Sequence, residues 1–380
     1  MPRYGVKSTR PVATRAPHLP ALVSLALSGG QALGAYAAGA VQTLEETGQR
    51  LDLICGGSVG AITGAIVAGS PPGQAMDRLR AFWSLASSGL SGSWPGQASG
   101  RPREIANMAH AMQTLLMGRP GLFSPRPSGF LSMLPGTPPD VALFDPRPIV
   151  ATLERLIDFD HLHAHGPRLI VCTADLERGT PVYFDSRRER LTPRHLLATT
   201  AFVPSFPPVE IDGRLLGDPG LICNLPLDPI LHTEDPADRL CFAVDLFSGI
   251  GPRPRSLDTG LERAQDIIFS AQTARTLQAF QREQRLRHRL WQARSDAAQP
   301  VPGQVEIVIA TYRASPHEVS AKGLEYSSAS LQERWDAGRG DMRSAIEARA
   351  TGRAELRDLG FALYRPCLPM APPLPPRSTA

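Results

Sequence analysis

The chain has 380 residues, of which 42% are hydrophobic and 20% charged, so it can bury a sizeable core in one large domain or two. Its net charge of +4 is too small to indicate a nucleic-acid-binding protein. The five cysteines, at positions 55, 172, 223, 241 and 367, are odd in number and widely spaced. This pattern predicts neither a disulfide framework nor a metal site, and it favours a cytoplasmic location.

The two ends of the chain differ in composition from the middle. Residues 1–20 carry four basic residues and no acidic one, and they lack the apolar stretch of a secretory signal. They predict a disordered basic tail, with contact to anionic lipid as the alternative interpretation. The proline-rich residues 365–380 predict a second disordered tail. No stretch reaches the roughly 20 apolar residues of a membrane span.

Residues 22–68 predict a strand, a glycine loop, a helix, a second strand, a tight turn and a second helix. The apolar runs 22–27 and 51–55 are long enough for buried strands, and 35–46 has the apolar spacing of a helix. Residues 56–60 read GGSVG, a G-x-S-x-G sequence followed by a small-residue helix over 61–68. Strand, glycine turn with a serine at its apex, then helix is the context of a nucleophile elbow.

The residue types in this unit suit acyl transfer. A serine hydroxyl is a weak nucleophile until a base takes its proton, and Gly56, Gly57 and Gly60 let the backbone turn tightly around Ser58. Backbone N–H groups of the first glycine loop could hold an oxyanion, and losing one such donor costs roughly 3–4 kcal/mol. Each motif alone is also compatible with a tight turn or a phosphate cradle. The loop is neither a Walker A sequence nor a G-x-G-x-x-G sequence, because Gln31 occupies the second required glycine position.

Residues 70–142 read as an insertion with two helices, 74–87 and 103–117, separated and followed by loops rich in Gly, Pro and Ser. We favour the interpretation that these helices cover one face of the sheet. The alternative is a flexible, Met-rich lid over an apolar site, since Met-rich surfaces adapt to varied apolar partners.

The middle of the chain continues the alternation of helices and strands. The pattern predicts a helix over 147–158, strands over 169–174 and 182–184, and a short helix over 195–200. The alternating histidines at 161, 163 and 165 predict an exposed loop rather than a zinc site, because no cysteine or acidic partner has ligand spacing.

The C-terminal part predicts strands over 239–247 and 305–312 and helices over 257–292 and 328–350. Asp245, inside the first of these strands, is interpreted as structural. An arginine cluster near the end of the first helix is interpreted as a solvated face, with an anionic membrane surface as the alternative.

A third motif makes a family resemblance specific. The order SGGxxxG, GGSVG, F-x-P-x-F-P-P and then Asp218-Pro219-Gly220 before an Asn-x-Pro sequence resembles the patatin-like phospholipase family. The resemblance covers roughly residues 22–231 and, more weakly, the region up to about 350. Residues 330–338 resemble a C-terminal extension of bacterial members of the family.

The resemblance implies an α/β fold, a three-layer α/β/α sandwich around a mostly parallel sheet. It implies an acyl hydrolase domain over 21–231 and an α/β extension over 232–364 packed on the same core. It also implies a lipid acyl-ester hydrolase that needs no metal or cofactor; the oligomeric state stays open, and peripheral membrane contact stays the alternative that the basic segments suggest. The implied residues are Ser58 as nucleophile, Asp218 as base without a histidine, and an oxyanion hole made by Gly29, Gly30, Gln31 and Gly34.

Two departures and three alternatives stay open at this stage. Gln31 and Leu33 stand where the family often has a glycine and a basic residue, and Pro219 stands inside the Asp-x-Gly motif. The substrate could be a phospholipid, a lysophospholipid or an intracellular polyester. A Ser-Asp-His triad is less favoured, because only about two strands precede the serine; its candidate histidines are His232, His288 and His317. A non-catalytic lipid- or nucleotide-binding protein on the same fold is the alternative from another class.

Overall fold

One sheet of ten strands organises the chain. The computed structural model describes residues 22–89, 100–132, 134–137, 140–232, 237–293 and 301–366. The predicted basic tail over 1–20 and nearly all of the predicted proline-rich tail lie outside these residues. The strands are β1 (Leu22–Leu27), β2 (Leu53–Gly57), β3 (Ser124–Pro125), β4 (Phe144–Asp145), β5 (Arg168–Asp175), β6 (Thr180–Asp185), β7 (Val209–Ile211), β8 (Arg214–Gly217), β9 (Arg239–Asp245), β10 (Val305–Thr311), β11 (Leu356–Asp358) and β12 (Phe361–Tyr364).

Eleven α-helices and three short 3-10 helices connect the strands in the described part of the chain. The helices are α1 (Gly34–Glu46), α2 (Val59–Ala68), α3 (Ala75–Ser87), α4 (Arg101–Met117), α5 (Pro127–Leu131), α6 (Pro148–Leu156), α7 (Phe159–Ala164), α8 (Pro193–Thr200), α9 (Asp228–Leu231), α10 (Leu257–Ala293) and α11 (Ser328–Ala350). The 3-10 helices are Gln31–Leu33, Pro219–Leu221 and Lys322–Leu324.

The sheet is mostly parallel. Its order is β11-β12-β10-β9-β1-β2-β5-β8-β7, with β6 paired to β5. The six adjacent strands from β12 to β5 run parallel to one another, and the antiparallel pairs lie towards the two edges of the sheet. β3 and β4 form a separate two-stranded ribbon. The predicted α/β class with a mostly parallel sheet is confirmed.

Alternating side chains of the central strands bury both faces of the sheet. In β1, Leu25 and Leu27 enter the core on one face, whereas Ala26 enters the core on the other. In β10, Val308 and Ile309 divide in the same way. The first core is covered by α1, α2, α3 and α11, and the second by α9 and α10. Helices on both faces of a parallel sheet give the predicted three-layer sandwich.

Helices α1 and α11 cross with their backbones in contact at two glycines. A Cβ atom built on Gly39 would lie 1.9 Å from the carbonyl oxygen of Trp335, and one built on Gly338 would lie 1.9 Å from that of Tyr36. The crossing also brings the Tyr36 hydroxyl to Asp341, to which it donates a 2.7 Å hydrogen bond. α11 is therefore held against the helix that follows the first glycine loop.

Replacing Gly39 with alanine is expected to destabilise the protein by at least about 2 kcal/mol, because the two helices must separate to make room for the methyl group. The matched control is Gly340→Ala in α11, where a Cβ atom meets nothing within 4 Å. That change should be neutral or slightly stabilising, because alanine is the better helix former by about 1 kcal/mol. Urea unfolding of the two variants checks this, and equal midpoints would contradict the close crossing.

The orientation of α4 differs from the favoured prediction. Its apolar residues Ile105, Met112, Leu116 and Met117 are exposed, whereas α3 buries its apolar face as predicted. α4 instead turns Ala106, Asn107, Ala111 and Thr114 inwards. The interpretation that this helix covers the sheet with its apolar face is therefore wrong.

The histidine run also folds differently from the prediction. His161 and His163 lie on the short helix α7 and His165 ends it, so they do not alternate along a loop or strand. Within the described ranges, no group of three or more His, Cys, Asp or Glu side chains is placed to hold a metal ion. Among those same residues, none of the helices combines the length and apolar character needed to cross a bilayer.

Candidate active site

The strand register brings the two glycine motifs together. β1 and β2 are parallel neighbours with Leu27 opposite Gly56, so both strands end at the same edge of the sheet. The loop after β1 and the serine after β2 therefore lie side by side. The carboxyl ends of parallel strands are where α/β proteins build their sites.

Ser58 has a backbone conformation that is unusual for a residue with a side chain. Its φ is 54° and its ψ is −131°, directly between β2 and α2. Its N–H donates a 2.8 Å hydrogen bond to the Thr199 hydroxyl, which in turn donates to the carbonyl oxygen of Cys172. Strained backbone held by such surrounding contacts is typical of functional positions. No sequence pattern pointed to Thr199, because a threonine near the end of a helix has no special spacing.

Gly60, two residues after Ser58, is required because a larger side chain would not fit there, and its φ is not unusual. A Cβ atom on Gly60 would lie 2.5 Å from the carbonyl oxygen of Leu27 and 2.6 Å from that of Ser28. α2 therefore begins in direct backbone contact with the end of β1. At Gly57, a Cβ atom would lie 2.7 Å from Cγ of Pro219, so this glycine leaves room for the Asp-x-Gly loop.

Asp218 lies next to Ser58. It follows β8, is 4% exposed, and lies close enough to the Ser58 hydroxyl for that group to lower the pKa of its carboxyl. It accepts a 2.8 Å hydrogen bond from the Gly220 N–H and so caps the 3-10 helix Pro219–Leu221. Proline at the first position of a helical turn needs no N–H partner there. The departure at Pro219 is therefore compatible with the position of the carboxylate.

Burial raises the pKa of Asp218 to about 6, although the nearby Ser58 hydroxyl and the hydrogen bond from Gly220 oppose the rise. An ordinary aspartate titrates near 3.9. A carboxylate with a raised pKa is a better proton acceptor at neutral pH than an ordinary one, provided that it is ionised.

The glycine loop after β1 differs in part from the predicted oxyanion hole. The Gly29 N–H donates to the Asn224 carbonyl oxygen at 3.2 Å, and the Gly34 N–H donates to the carbonyl oxygen of Gln31. Both donors are engaged by the backbone and are not available to a substrate. The N–H groups of Gly30 and Gln31 make no hydrogen bond within the described residues and line the cavity beside Ser58. Gln31 has φ 52°, the left-handed region that glycine adopts without strain.

Two amide side chains hold the loops of the site in place. The Asn224 side chain donates to the Gly29 carbonyl oxygen at 3.2 Å. Gln272 on α10 donates to the Gly220 carbonyl oxygen at 3.1 Å and accepts from the Asn224 N–H at 2.7 Å. The Asn-x-Pro sequence drew attention to Asn224, whereas nothing in the sequence singled out Gln272 within its long helix.

A mostly apolar cavity of about 310 Å³ opens onto Ser58 and Asp218. Phe123, Phe144 and Phe206 pack against one another at its wall in edge-to-face or tilted pairs, with ring centroids 5.0–5.7 Å apart. Phe206 belongs to the F-x-P-x-F-P-P motif. Further apolar lining comes from Leu33, Val59, Ile62, Phe82, Trp83, Leu115, Leu122, Leu143, Ile149, Phe202, Phe247, Phe269, Leu324 and Tyr326.

No histidine of the described residues lines this cavity. His232 contacts Glu283, and His317 contacts Glu333. His288 lies against Gly360 on the opposite side of the sheet from α1. The three candidate histidines of a triad are therefore not placed near Ser58.

The segment 320–326 closes one side of the cavity. Its Gly323 contacts Gln31, since a Cβ atom there would lie 2.7 Å from Oε1 of that glutamine. Its Lys322 is buried at the cavity wall and pairs with Asp266 at 2.7 Å and Glu262 at 3.2 Å, both on α10. The C-terminal part of the chain thus supplies a wall of the site.

Several solved structures are similar to this chain at low identity. VipD from Legionella pneumophila matches with 13% identity and TM-score 0.38, over 86% of this chain and 67% of that one. ExoU in complex with SpcU, from the type III secretion system of Pseudomonas aeruginosa, matches with 16% identity and TM-score 0.36, over 87% and 52%. Human GIVD cytosolic phospholipase A2, in complex with methyl gamma-linolenyl fluorophosphonate, matches with 13% identity and TM-score 0.27, over 58% and 40%. The chain thus spans about two-thirds of the VipD chain and about half of the ExoU chain.

Family models assign the chain to a family, which structural similarities at these TM-scores do not. No curated protein sequence matches the chain significantly. A model described as patatin-like phospholipase matches residues 25–231, which is more than half of the chain. A second model, described as patatin phospholipase, matches residues 267–356. The chain belongs to the patatin-like phospholipase family.

Proposed function

We propose that the protein hydrolyses acyl esters of lipids, with Ser58 as nucleophile and Asp218 as the base. The observation that carries this proposal is that the Ser58 hydroxyl lies beside the buried Asp218 carboxylate at a mostly apolar cavity, in a member of a phospholipase family. Placing the hydroxyl against its base avoids the entropy cost of bringing the two together for each turnover.

The reaction follows from the geometry in two steps. The Ser58 oxygen attacks the ester carbonyl carbon and its proton passes to Asp218, while the N–H groups of Gly30 and Gln31 receive the oxyanion. The C–O bond to the alcohol breaks, and the alcohol leaves with the proton from Asp218. Water then attacks the acyl-serine, giving its proton to Asp218, and the fatty acid is released as the proton returns to Ser58.

The cavity wall supports a lipid as the substrate. A pocket of about 310 Å³ is at the lower end of the usual range for ligand sites, and aromatic rings dominate its lining. Such a wall stabilises an acyl chain through burial, by about 25 cal/mol per Å² of apolar surface. Among the described residues, only two charged side chains line the cavity, Asp218 and the ion-paired Lys322.

The test is release of fatty acid from a diacyl phospholipid, a lysophospholipid and a triacylglycerol, each compared with the Ser58→Ala variant. We expect release from at least one of them by the wild type and none by the variant. A folded wild type that releases no fatty acid from any of them, nor cleaves a p-nitrophenyl ester, would overturn the proposal in favour of a non-catalytic binding protein.

The pH dependence of hydrolysis should report the ionisation of Asp218. Only the ionised carboxylate accepts the proton of Ser58, so kcat/KM should rise about tenfold per pH unit below pH 6 and level off above it. The measurement uses a soluble p-nitrophenyl ester, whose presentation does not depend on a lipid surface. A midpoint near 4, the value of an exposed aspartate, would contradict the buried environment of the base.

A further inference from the structure

Exposed apolar side chains concentrate on segments that also line the cavity. The described residues include nineteen large hydrophobic side chains that are exposed, and thirteen of these lie in just three segments. Five are on α4, three lie between 131 and 141, and five lie between 250 and 268. The same stretches, or the residues directly after them, place Leu115, Leu143, Phe144, Gln265 and Phe269 in the cavity wall.

α4 shows how the outer surface continues into the cavity. Ile105, Met108, Met112 and Leu116 are spaced by three, four and four residues, which places them along one face of the helix. Leu115, beside this stripe, lines the cavity. The helix therefore carries both an exposed apolar stripe and a side chain of the cavity wall.

The segment at the start of α10 adds positive charge to this surface. Ile250 is 72% exposed and Leu257 is 82% exposed. Between them lie the exposed Arg253 and Arg255, and residues 250–257 contain no acidic side chain. Apolar side chains interleaved with arginines are suited to an interface that is apolar within and negatively charged at its surface.

We propose that these segments, here called the apolar rim (α4, the exposed Leu131, Leu134 and Val141, and residues 250–268), dock on an anionic lipid bilayer. The apolar side chains would enter the acyl region while Arg253 and Arg255 contact the head groups. A lipid leaving the bilayer would then enter the cavity without crossing water. The claim that a bilayer lipid is the substrate rests on the proposed function, whereas docking on the bilayer needs no catalysis.

The test measures sedimentation of the Ser58→Ala protein with vesicles of phosphatidylcholine, with and without phosphatidylglycerol. Ser58→Ala is the background so that the lipids stay intact. The rim variant adds Leu116→Ser and Met117→Ser, which are 63% and 69% exposed. A charge variant adds Arg253→Gln and Arg255→Gln. The matched control adds Leu286→Ser and Leu290→Ser, which are 58% and 61% exposed in the half of α10 remote from the cavity.

We expect binding to vesicles with phosphatidylglycerol, lowered roughly tenfold or more by the rim variant and unchanged in the matched control. The charge variant should lose most of the preference for the anionic vesicles. Equal losses in the rim variant and the control, or no binding by the parent protein, would overturn the proposal. A rim variant that changes the oligomeric state in light scattering but not vesicle binding would assign the surface to a second copy instead.

A parallel assay separates this proposal from the proposed function. With Ser58 restored, the rim variant should cleave a soluble p-nitrophenyl ester at the wild-type rate and lose hydrolysis of vesicle lipid. Rim-dependent vesicle binding by a protein that cleaves no ester would support docking and overturn the catalytic assignment. Hydrolysis of both substrates unaffected by the rim variant would overturn docking and leave the catalytic assignment standing.

Discussion

Replacing Ser58 with alanine, or Asp218 with asparagine, is expected to lower kcat/KM for ester hydrolysis at least about a thousandfold. The first change removes the nucleophile and the second removes the proton acceptor, and residues that act as one unit each carry nearly the whole effect. The double variant should therefore be hardly worse than either single variant. Initial rates with a soluble p-nitrophenyl ester give the comparison.

The histidine control distinguishes this dyad from a triad. His232→Ala, remote from the cavity, should keep the wild-type rate, since this side chain contacts Asp228 and Glu283. A large loss in His232→Ala, together with activity in Asp218→Asn, would contradict the account.

The Asp218→Asn variant should also be more stable than the wild type at neutral pH. Because burial raises the folded-state pKa to about 6, the extra stability from the protonated carboxyl is present below about pH 4 and is lost as the pH rises through 6. Removing the buried charge therefore stabilises by up to about 3 kcal/mol at pH 7 and by little at pH 4. Urea unfolding at both pH values shows whether lost activity reflects chemistry or unfolding.

Replacing Arg334 with alanine should be among the most destabilising single changes, costing about 3–5 kcal/mol. Its guanidinium is 1% exposed and lies 2.9 Å from Glu318 and 3.9 Å from Glu325, and it also donates to the carbonyl oxygens of Glu325 and Lys322. Alanine would leave two buried carboxylates, Glu318 and Glu325, without the positive charge that neutralises them. The loss should also raise KM, because the same segment forms the cavity wall beside Gln31.

The pKa of Glu325 shows why its ion pair with Arg334 stabilises the protein. Burial by itself would raise the pKa of Glu325, but the adjacent His110 side chain, the charge of Arg334 and the neighbouring Ser330 and Ser327 hold it at about 2. The matched control is Arg339→Ala, whose side chain is 41% exposed and pairs with Glu46 at the surface. Such a pair contributes at most about 1 kcal/mol. Equal effects of the two changes on the free energy of unfolding would refute a structural role for the buried pair.

The fold was largely predictable because its central strands are short and mostly apolar. The run 328–350 was predicted as a helix with the bounds that α11 has, and β1 likewise matches 22–27. β2 was placed less well: it begins at Leu53, two residues late, and continues to Gly57. Apolar glycine-rich sequence does not distinguish the end of a strand from the start of a turn.

α4 was misoriented because amphipathic spacing shows that a helix has two faces but not which one meets the protein. Its inner face is built from Ala106, Ala111 and polar residues that find specific partners, such as Asn107, which donates to the His317 carbonyl oxygen at 2.9 Å. That carbonyl lies 210 residues away in the sequence. No local pattern could therefore have revealed this contact.

The residues of the candidate site also fall into two groups, those that sequence motifs indicated and those that they did not. The resemblance to the patatin-like phospholipase family already implied that Ser58 and Asp218 belong to one site, because each lies in a recognisable motif. Gln272 and Thr199 act through single hydrogen bonds across the fold, and their identities are ordinary for their helices. The engagement of the Gly29 N–H by Asn224 likewise depends on how two distant loops meet.

The most direct test of the central claim is to treat the wild type with a fluorescent alkyl fluorophosphonate and map the adduct by peptide mass spectrometry. The account predicts a single modification on Ser58, strongly slowed in Asp218→Asn and absent in Ser58→Ala. An active, folded protein whose adduct lies on another residue, or which hydrolyses esters while Ser58 stays unmodified, would contradict it.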